Sequence, residues 1–224
     1  MLSAVETKCG GMGVLGNCNG RMSWPRRGVY FFFEPCELRA GTGTGLRVVR
    51  VGTHAVSRRS KSTLWGRLSQ HRGKADGAGG NHRGSVFRLL LGAALAARDP
   101  RLASATWGVG QSAAKAIRDS ELKLEARVSK YIGKMPFIWL ECDDEPSPES
   151  QRMHIERNAI ALLSQATMPT PLDPPSQNWL GTHSPNEHVR RSGLWNSRHV
   201  LEGYDSGFLD SLEGLVVSQQ AKAE

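Results

Sequence analysis

Arg67 and His71 stand four residues apart in the run Leu64-Trp65-Gly66-Arg67-Leu68-Ser69-Gln70-His71. On a helix that spacing sets a planar cationic fork and a titratable imidazole one turn apart, where both can reach a single phosphate. The surroundings suit an anion. Residues 47–88 hold ten Lys and Arg against one acid, Asp76, a net +9 where the whole 224-residue chain carries +8. Arg50 and Arg72 belong to this set, and His54 and His82 are further candidates for phosphate contact, against the plain alternative of loop histidines. His82 and Arg83 fall in Gly79-Gly80-Asn81-His82-Arg83-Gly84-Ser85, which has the make-up of an anion-binding turn ahead of a helix. Charge concentrated in this way favours a polyanionic partner, most often nucleic acid.

Other reactive side chains carry less. Glu141, Asp143 and Asp144 crowd the end of an apolar run and could hold a metal, but a solvated acidic loop is the expectation. Cys9, Cys18, Cys36 and Cys142 form no CxxC pair and have no histidine at zinc-ligand spacing, so free thiols in a reducing compartment are expected. Trp195, His199 and Tyr204 show no spacing that argues chemistry, and packing is their default. Residues 1–20 lack the apolar core of a signal peptide. The longest apolar run, Val86 to Ala97, is broken by Arg88 and too short to span a bilayer. The expectation is a cytoplasmic protein without a membrane partner.

These side chains need elements to position them. Gly28-Val29-Tyr30-Phe31-Phe32-Phe33-Glu34 and Leu46–Gly52 read as two strands joined through the Gly/Thr turn 40–45, a hairpin. A basic loop, 53–62, then leads to a helix over 64–71 with Ser62 or Thr63 as N-cap. Val86–Arg98 reads as a buried helix ended by Asp99-Pro100, and Ser120–Lys130 as a second. Phe137-Ile138-Trp139-Leu140 marks a third strand over 136–141. A helix over about 150–165 carries Glu156, Pro169 to Pro175 give an extended segment, and 206–218 closes the chain as an amphipathic helix.

The ordered set Gly28-Val29-Tyr30, hairpin, Arg50-Val51-Gly52, Arg67 with His71, helical Glu156 and later Asn178 resembles the GIY-YIG nuclease superfamily, over roughly residues 28–180. The resemblance implies an α+β fold, a small three-stranded antiparallel sheet flanked by helices. It also implies phosphodiester cleavage in DNA, or RNA, with one divalent metal, Mg²⁺ or Mn²⁺. Residues 1–27 would be an irregular lead, 73–130 a helical insertion in the nuclease domain, and 181–224 a C-terminal extension packed on the core.

Carried over position by position, Tyr30 would be the general base or a water-orienting phenol. Arg50 and Arg67 would supply the field that activates it, Arg67 would clamp the scissile phosphate, and His71 would donate to that phosphate or relay a proton. Glu156 would hold the metal with several waters. Gly28, Gly52 and Asn178 would support the site. The chain departs from the pattern at Arg50, which stands where the family has a second tyrosine, so the alternative is a catalytically inactive nucleic-acid-binding module of the same fold. A literal Tyr131-Ile132-Gly133 occurs 101 residues after Tyr30 and is read as coincidence.

Overall fold

The computed structural model describes residues 11–41, 43 and 45–221, with Ser3 and Glu6. Cys9 and the turn residues Thr42 and Thr44 lie outside the described residues. Four antiparallel strands, β1 (Gly13–Val14), β2 (Gly28–Leu38), β3 (Leu46–Gly52) and β4 (Pro136–Glu141), form one sheet in the order β1-β4-β2-β3. The hairpin and third strand expected from the sequence are present. The two-residue β1 is an addition, pairing Gly13 with Phe137 at one edge.

β2 is central and apolar on both faces because both faces are covered. Its even residues Tyr30 and Phe32 enter a core with α1 (Leu64–Arg72), α2 (Val86–Arg98) and α3 (Lys115–Ile132). Its odd residues Val29, Phe31 and Phe33 enter a second core with α4 (Gln151–Leu163) and α6 (Phe208–Ala221). The sheet is thus a filling between two helical layers. A short helix, α5 (Glu187–Ser192), was not foreseen; its six residues give too little period to read.

The β2–β3 ladder is regular from Tyr30 to Phe32 and shifts register beyond it. Phe32 pairs with Arg50, but Phe33 pairs with Val48, so Val49 is the extra residue of a bulge. Arg50 lies on the regular side of the bulge, opposite Phe32, and by alternation shares a sheet face with Tyr30 and Gly52. Tyr30 lies directly across from Gly52, and its ring fills the space a Cβ on Gly52 would need. Gly28 is tight for a related reason, since a Cβ there would strike the Leu140 carbonyl.

β3 is the last strand of the sheet, and its outer edge is taken by the segment that leaves α5. Gly193 turns the chain with φ 70°. Arg47 Nη1 then donates to the Gly193 carbonyl at 2.6 Å, and Trp195 N donates to Val49 O at 2.6 Å. The Asn196 side chain imitates a strand: Val51 N donates to its Oδ1 at 3.1 Å and its Nδ2 donates to Val51 O at 2.9 Å. A buried carboxylate fixes this segment to the sheet. Glu34 accepts from Trp195 Nε1 (2.7 Å), Trp179 Nε1 (3.1 Å) and the Tyr131 hydroxyl (2.6 Å). Tyr131 of the literal Tyr-Ile-Gly is accordingly a structural donor.

Gly52→Ala is expected to lower stability by about 1–3 kcal/mol through overpacking against Tyr30, read from urea unfolding. Wild-type stability in that variant would contradict the packing described.

Candidate functional site

A cleft of about 340 Å³ opens where the outer edge of β3 meets α1 and α4, and Arg50, Arg67, Glu156, Asn196, Arg198 and His199 all line it. Each arrives from a different part of the fold. Arg67 comes from α1, which starts at Thr63, whose side chain caps Gly66 N at 3.1 Å. The buried stripe of α1 is Leu64, Leu68 and His71, so Arg67 stands at the stripe's margin and reaches the opening. Its Nη1 donates to Gly84 O (3.0 Å) and Gln70 Oε1 (3.1 Å), which leaves the rest of the fork unspent.

Arg50 is 6% exposed and forms the floor. Its Nη1 donates to the Trp195 carbonyl, its guanidinium lies over the Phe87 ring at 4.7 Å, and its Nε has no partner among the described residues. Burial pushes its pKa down; Tyr30 and Glu156 push it back up, while the like charge of Arg67 does not. Glu156 comes from α4, and its Oε1 accepts from Thr53 N at 3.2 Å. Burial raises its pKa against the pull of the Arg50 charge, the Thr53 N–H, His199 and Arg67.

Tyr30 and His71 sit beneath this floor, not in it. Tyr30 is 0% exposed and does not line the cleft. Its hydroxyl meets His71 Nε2 at 2.7 Å and bonds the Arg50 side chain. His71 Nδ1 meets Ser85 Oγ at 2.7 Å, and Ser85 caps α2 by accepting from Arg88 N at 3.2 Å. Burial, with the charges of Arg67, Arg50 and Arg88, holds the His71 pKa well below 6.5, so the ring is neutral. The structure does not bring these two residues to the cleft: Tyr30, expected as a base, is packed behind Arg50, and His71, expected on the phosphate, is fully buried beneath Tyr30. The helical spacing of Arg67 and His71 is as expected, but the stripe through Leu64 and Leu68 turns His71 inward.

Four further phosphate candidates do not line the cleft, and each has contacts inside the fold, although His54 Nε2 and Arg72 Nε have no partner among the described residues. His54 is buried, with Nδ1 on the Ser62 carbonyl at 3.2 Å. Arg72 donates to the Cys18 carbonyl and stacks on Trp65. His82 is buried against Glu125 (2.9 Å) and stacks on Trp107 at 3.8 Å. Arg83 pairs with Glu121 through two bonds, 2.6 and 2.9 Å. With Arg47 on Glu37 and Arg88 on Glu125, much of the +9 is spent on ion pairs within the fold. The outward remainder near the cleft is Arg58, Arg59 and Lys61 in the loop after Thr53, with exposed Arg198. Asn178 is exposed in the loop before Trp179 and does not line the cleft, whereas Asn196 does.

A divalent metal fits this donor set. Glu156 offers a hard carboxylate oxygen beside open cleft, Oε2 having no hydrogen bond among the described residues. A single carboxylate completed by waters and phosphate oxygens is the usual shell for Mg²⁺. Among the described residues no group of three or more His, Cys, Asp and Glu gathers to make a closed cage.

The GIY-YIG domain family matches residues 1–222 of the chain. The chain belongs to that family. Neither the curated proteins nor the solved structures gave a match. Members of the GIY-YIG family are generally hydrolytic nucleases acting on nucleic acids, which suggests a nuclease-type function for this domain. Among the described residues no helix is long and apolar enough to cross a membrane.

Two buried histidines give a pH signature. His71 is held well below 6.5, and His54 is lowered to about 4 by burial and by the charges of Arg152, Arg67 and Arg27 against a bond to Ser62 O. Both are neutral when folded and take up protons when unfolded, so the stability they confer is present above pH 6.5 and lost as pH falls. The slope is about 1.4 kcal/mol per pH unit for each histidine. Urea unfolding between pH 7 and 5 is expected to show this decline, reduced in His54→Gln; a flat profile would contradict it.

Proposed function

We propose that this GIY-YIG protein is a metal-dependent endonuclease that hydrolyses phosphodiester bonds in DNA, with RNA as the second candidate substrate. The observation that carries the reading is the meeting of Arg50, Arg67 and Glu156 on one cleft. Three needs follow from the chemistry: a held phosphate, neutralisation of the charge that grows on its oxygens, and an activated water.

Arg67 presents a part-exposed fork at the mouth and is the phosphate clamp. Arg50 lies deeper, in a low-dielectric floor where its charge acts more strongly on a developing phosphorane than a solvated one would. The Tyr30 hydroxyl and the Phe87 ring keep the Arg50 guanidinium in place, so it does not have to reorganise as charge develops. Glu156 is the carboxylate that would hold Mg²⁺ or Mn²⁺, and the Thr53 N–H fixes its orientation. The ion, when bound, would lower the pKa of water and offset phosphate charge. Arg58, Arg59, Lys61 and Arg198 are placed to follow a backbone running past the mouth.

One observation favours the alternative of a catalytically inactive binding module: the phenol expected to meet water is buried behind Arg50. Relaxation of supercoiled plasmid in Mg²⁺ or Mn²⁺ separates the readings. Nicking is expected in the wild type, abolished in Glu156→Ala and lowered about 10²–10³-fold in Arg67→Ala. Affinity that falls steeply with salt, without any cleavage, would leave the binding module standing.

A further inference from the structure

With Tyr30 buried, the cleft lacks the phenol that would take a proton from water. Of the side chains lining it, only Glu156 and His199 can accept a proton near neutral pH. In the endonuclease reading Glu156 would hold the metal, and it already accepts the Thr53 N–H. His199 has one ring nitrogen without a hydrogen bond among the described residues. It follows Asn196 by three residues, in the loop that begins where the Asn196 amide clips onto Val51. Its backbone stands in the left-handed region, φ 64°, the only such non-glycine residue lining the cleft among those described.

We infer that His199 is the general base of this site, held in place by Glu202. His199 Nδ1 lies 2.9 Å from Glu202 Oε1. An ionised carboxylate only accepts, so Nδ1 carries a proton, and in the neutral ring the lone pair is at Nε2. Nε2 has no hydrogen-bond partner among the described residues, and the side chain is 24% exposed, open enough for a water. Glu202 stays ionised: burial works against its charge, but the bonds from His199 and from Arg157 outweigh it. Arg157 is the residue after Glu156 on α4, and its Nε pairs with Glu202. One short stretch of α4 therefore supplies the metal carboxylate and steadies the partner of the base. An acid orienting an imidazole whose far nitrogen faces the reacting atoms is a recurrent catalytic arrangement.

The inference rests on the endonuclease reading above and adds to it the proton acceptor. A water between Nε2 and the phosphate held by Arg67 attacks phosphorus through its oxygen as its proton passes to Nε2. The bond from phosphorus to the leaving sugar oxygen breaks, and that oxygen takes a proton from a second water. The resulting hydroxide collects the proton from imidazolium, so one water is consumed and a phosphomonoester and an alcohol are formed. Glu202 touches neither substrate nor water and is a positioning residue.

The test is plasmid nicking by the full chain with Mn²⁺ or Mg²⁺, with and without added imidazole. The variants are His199→Ala, Glu202→Gln and Glu156→Ala, with His183→Ala, an exposed histidine outside the cleft, as control; thermal unfolding shows which variants fold. His199→Ala is expected to lose about 10²–10⁴-fold and to recover part of its rate with imidazole, which supplies the missing base. Glu202→Gln loses less, and Glu156→Ala is not rescued. If His199→Ala does not fold, His199→Gln serves for the loss. Undiminished cleavage by His199→Ala, or a loss that imidazole does not repair, overturns the inference while the endonuclease reading stands. A wild type inert with both metals overturns that reading, and this inference with it.

Discussion

An edge strand must do something with its unpaired backbone, and the answer this chain finds determines where its chemistry lies. β3 is the last strand of the sheet. Left bare, its outer N–H and C=O groups would be a template for aggregation. Residues 193–196 occupy that edge with one backbone bond, Trp195 to Val49, and with the Asn196 amide bonded both ways to Val51. Arg47 and Arg50 reach outward to the Gly193 and Trp195 carbonyls. The same clasp that protects the edge delivers Asn196, Arg198 and His199 to the rim of the cleft. Glu34, accepting from both Trp179 and Trp195, ties that clasp to the central strand.

The second dependency is electrostatic. A guanidinium as buried as Arg50 is tolerated only because several partial charges converge on it: the Trp195 carbonyl, the Tyr30 hydroxyl, the Phe87 face and the Glu156 carboxylate. Losing the partners of a buried charge costs about 3–5 kcal/mol, so these groups are held together as a unit. Tyr30 in turn is held by His71, and His71 by Ser85 at the start of α2. A chain of hydrogen bonds thus runs from the first helical layer through the sheet face to the cleft floor. Gly52 allows it, because only a residue without a Cβ leaves room for the Tyr30 ring.

The layout was largely legible in the sequence. The edges of β3 and β4, the full span of α2 and the start of α1 coincide with apolar runs and caps whose periods are unambiguous. The bulge at Val49 was not legible, since nothing in the run Leu46–Gly52 marks the extra residue. Net charge misled in a specific way. The segment 47–88 counts +9, yet Glu37, Glu121 and Glu125 lie outside it and pair with Arg47, Arg83 and Arg88 within it. A charge count along the chain does not register ion pairs between distant segments. His199 was passed over because its partners at the cleft come from elsewhere in the chain. The one local clue was Glu202 three residues on, a spacing too common to act on alone. Asn196 left no local signal either, since only its pairing with the edge of β3 sets it apart from any loop asparagine.

The proposed function requires the clasp on β3 and the Glu156 helix to close around one metal and phosphate site. Anomalous diffraction from crystals of the full chain soaked in Mn²⁺ tests this most directly. The account predicts a single strong peak against the Glu156 carboxylate, within the cleft formed by Arg50, Arg67 and His199. A peak elsewhere, or none at Glu156 when Mn²⁺ is present in excess, would contradict it.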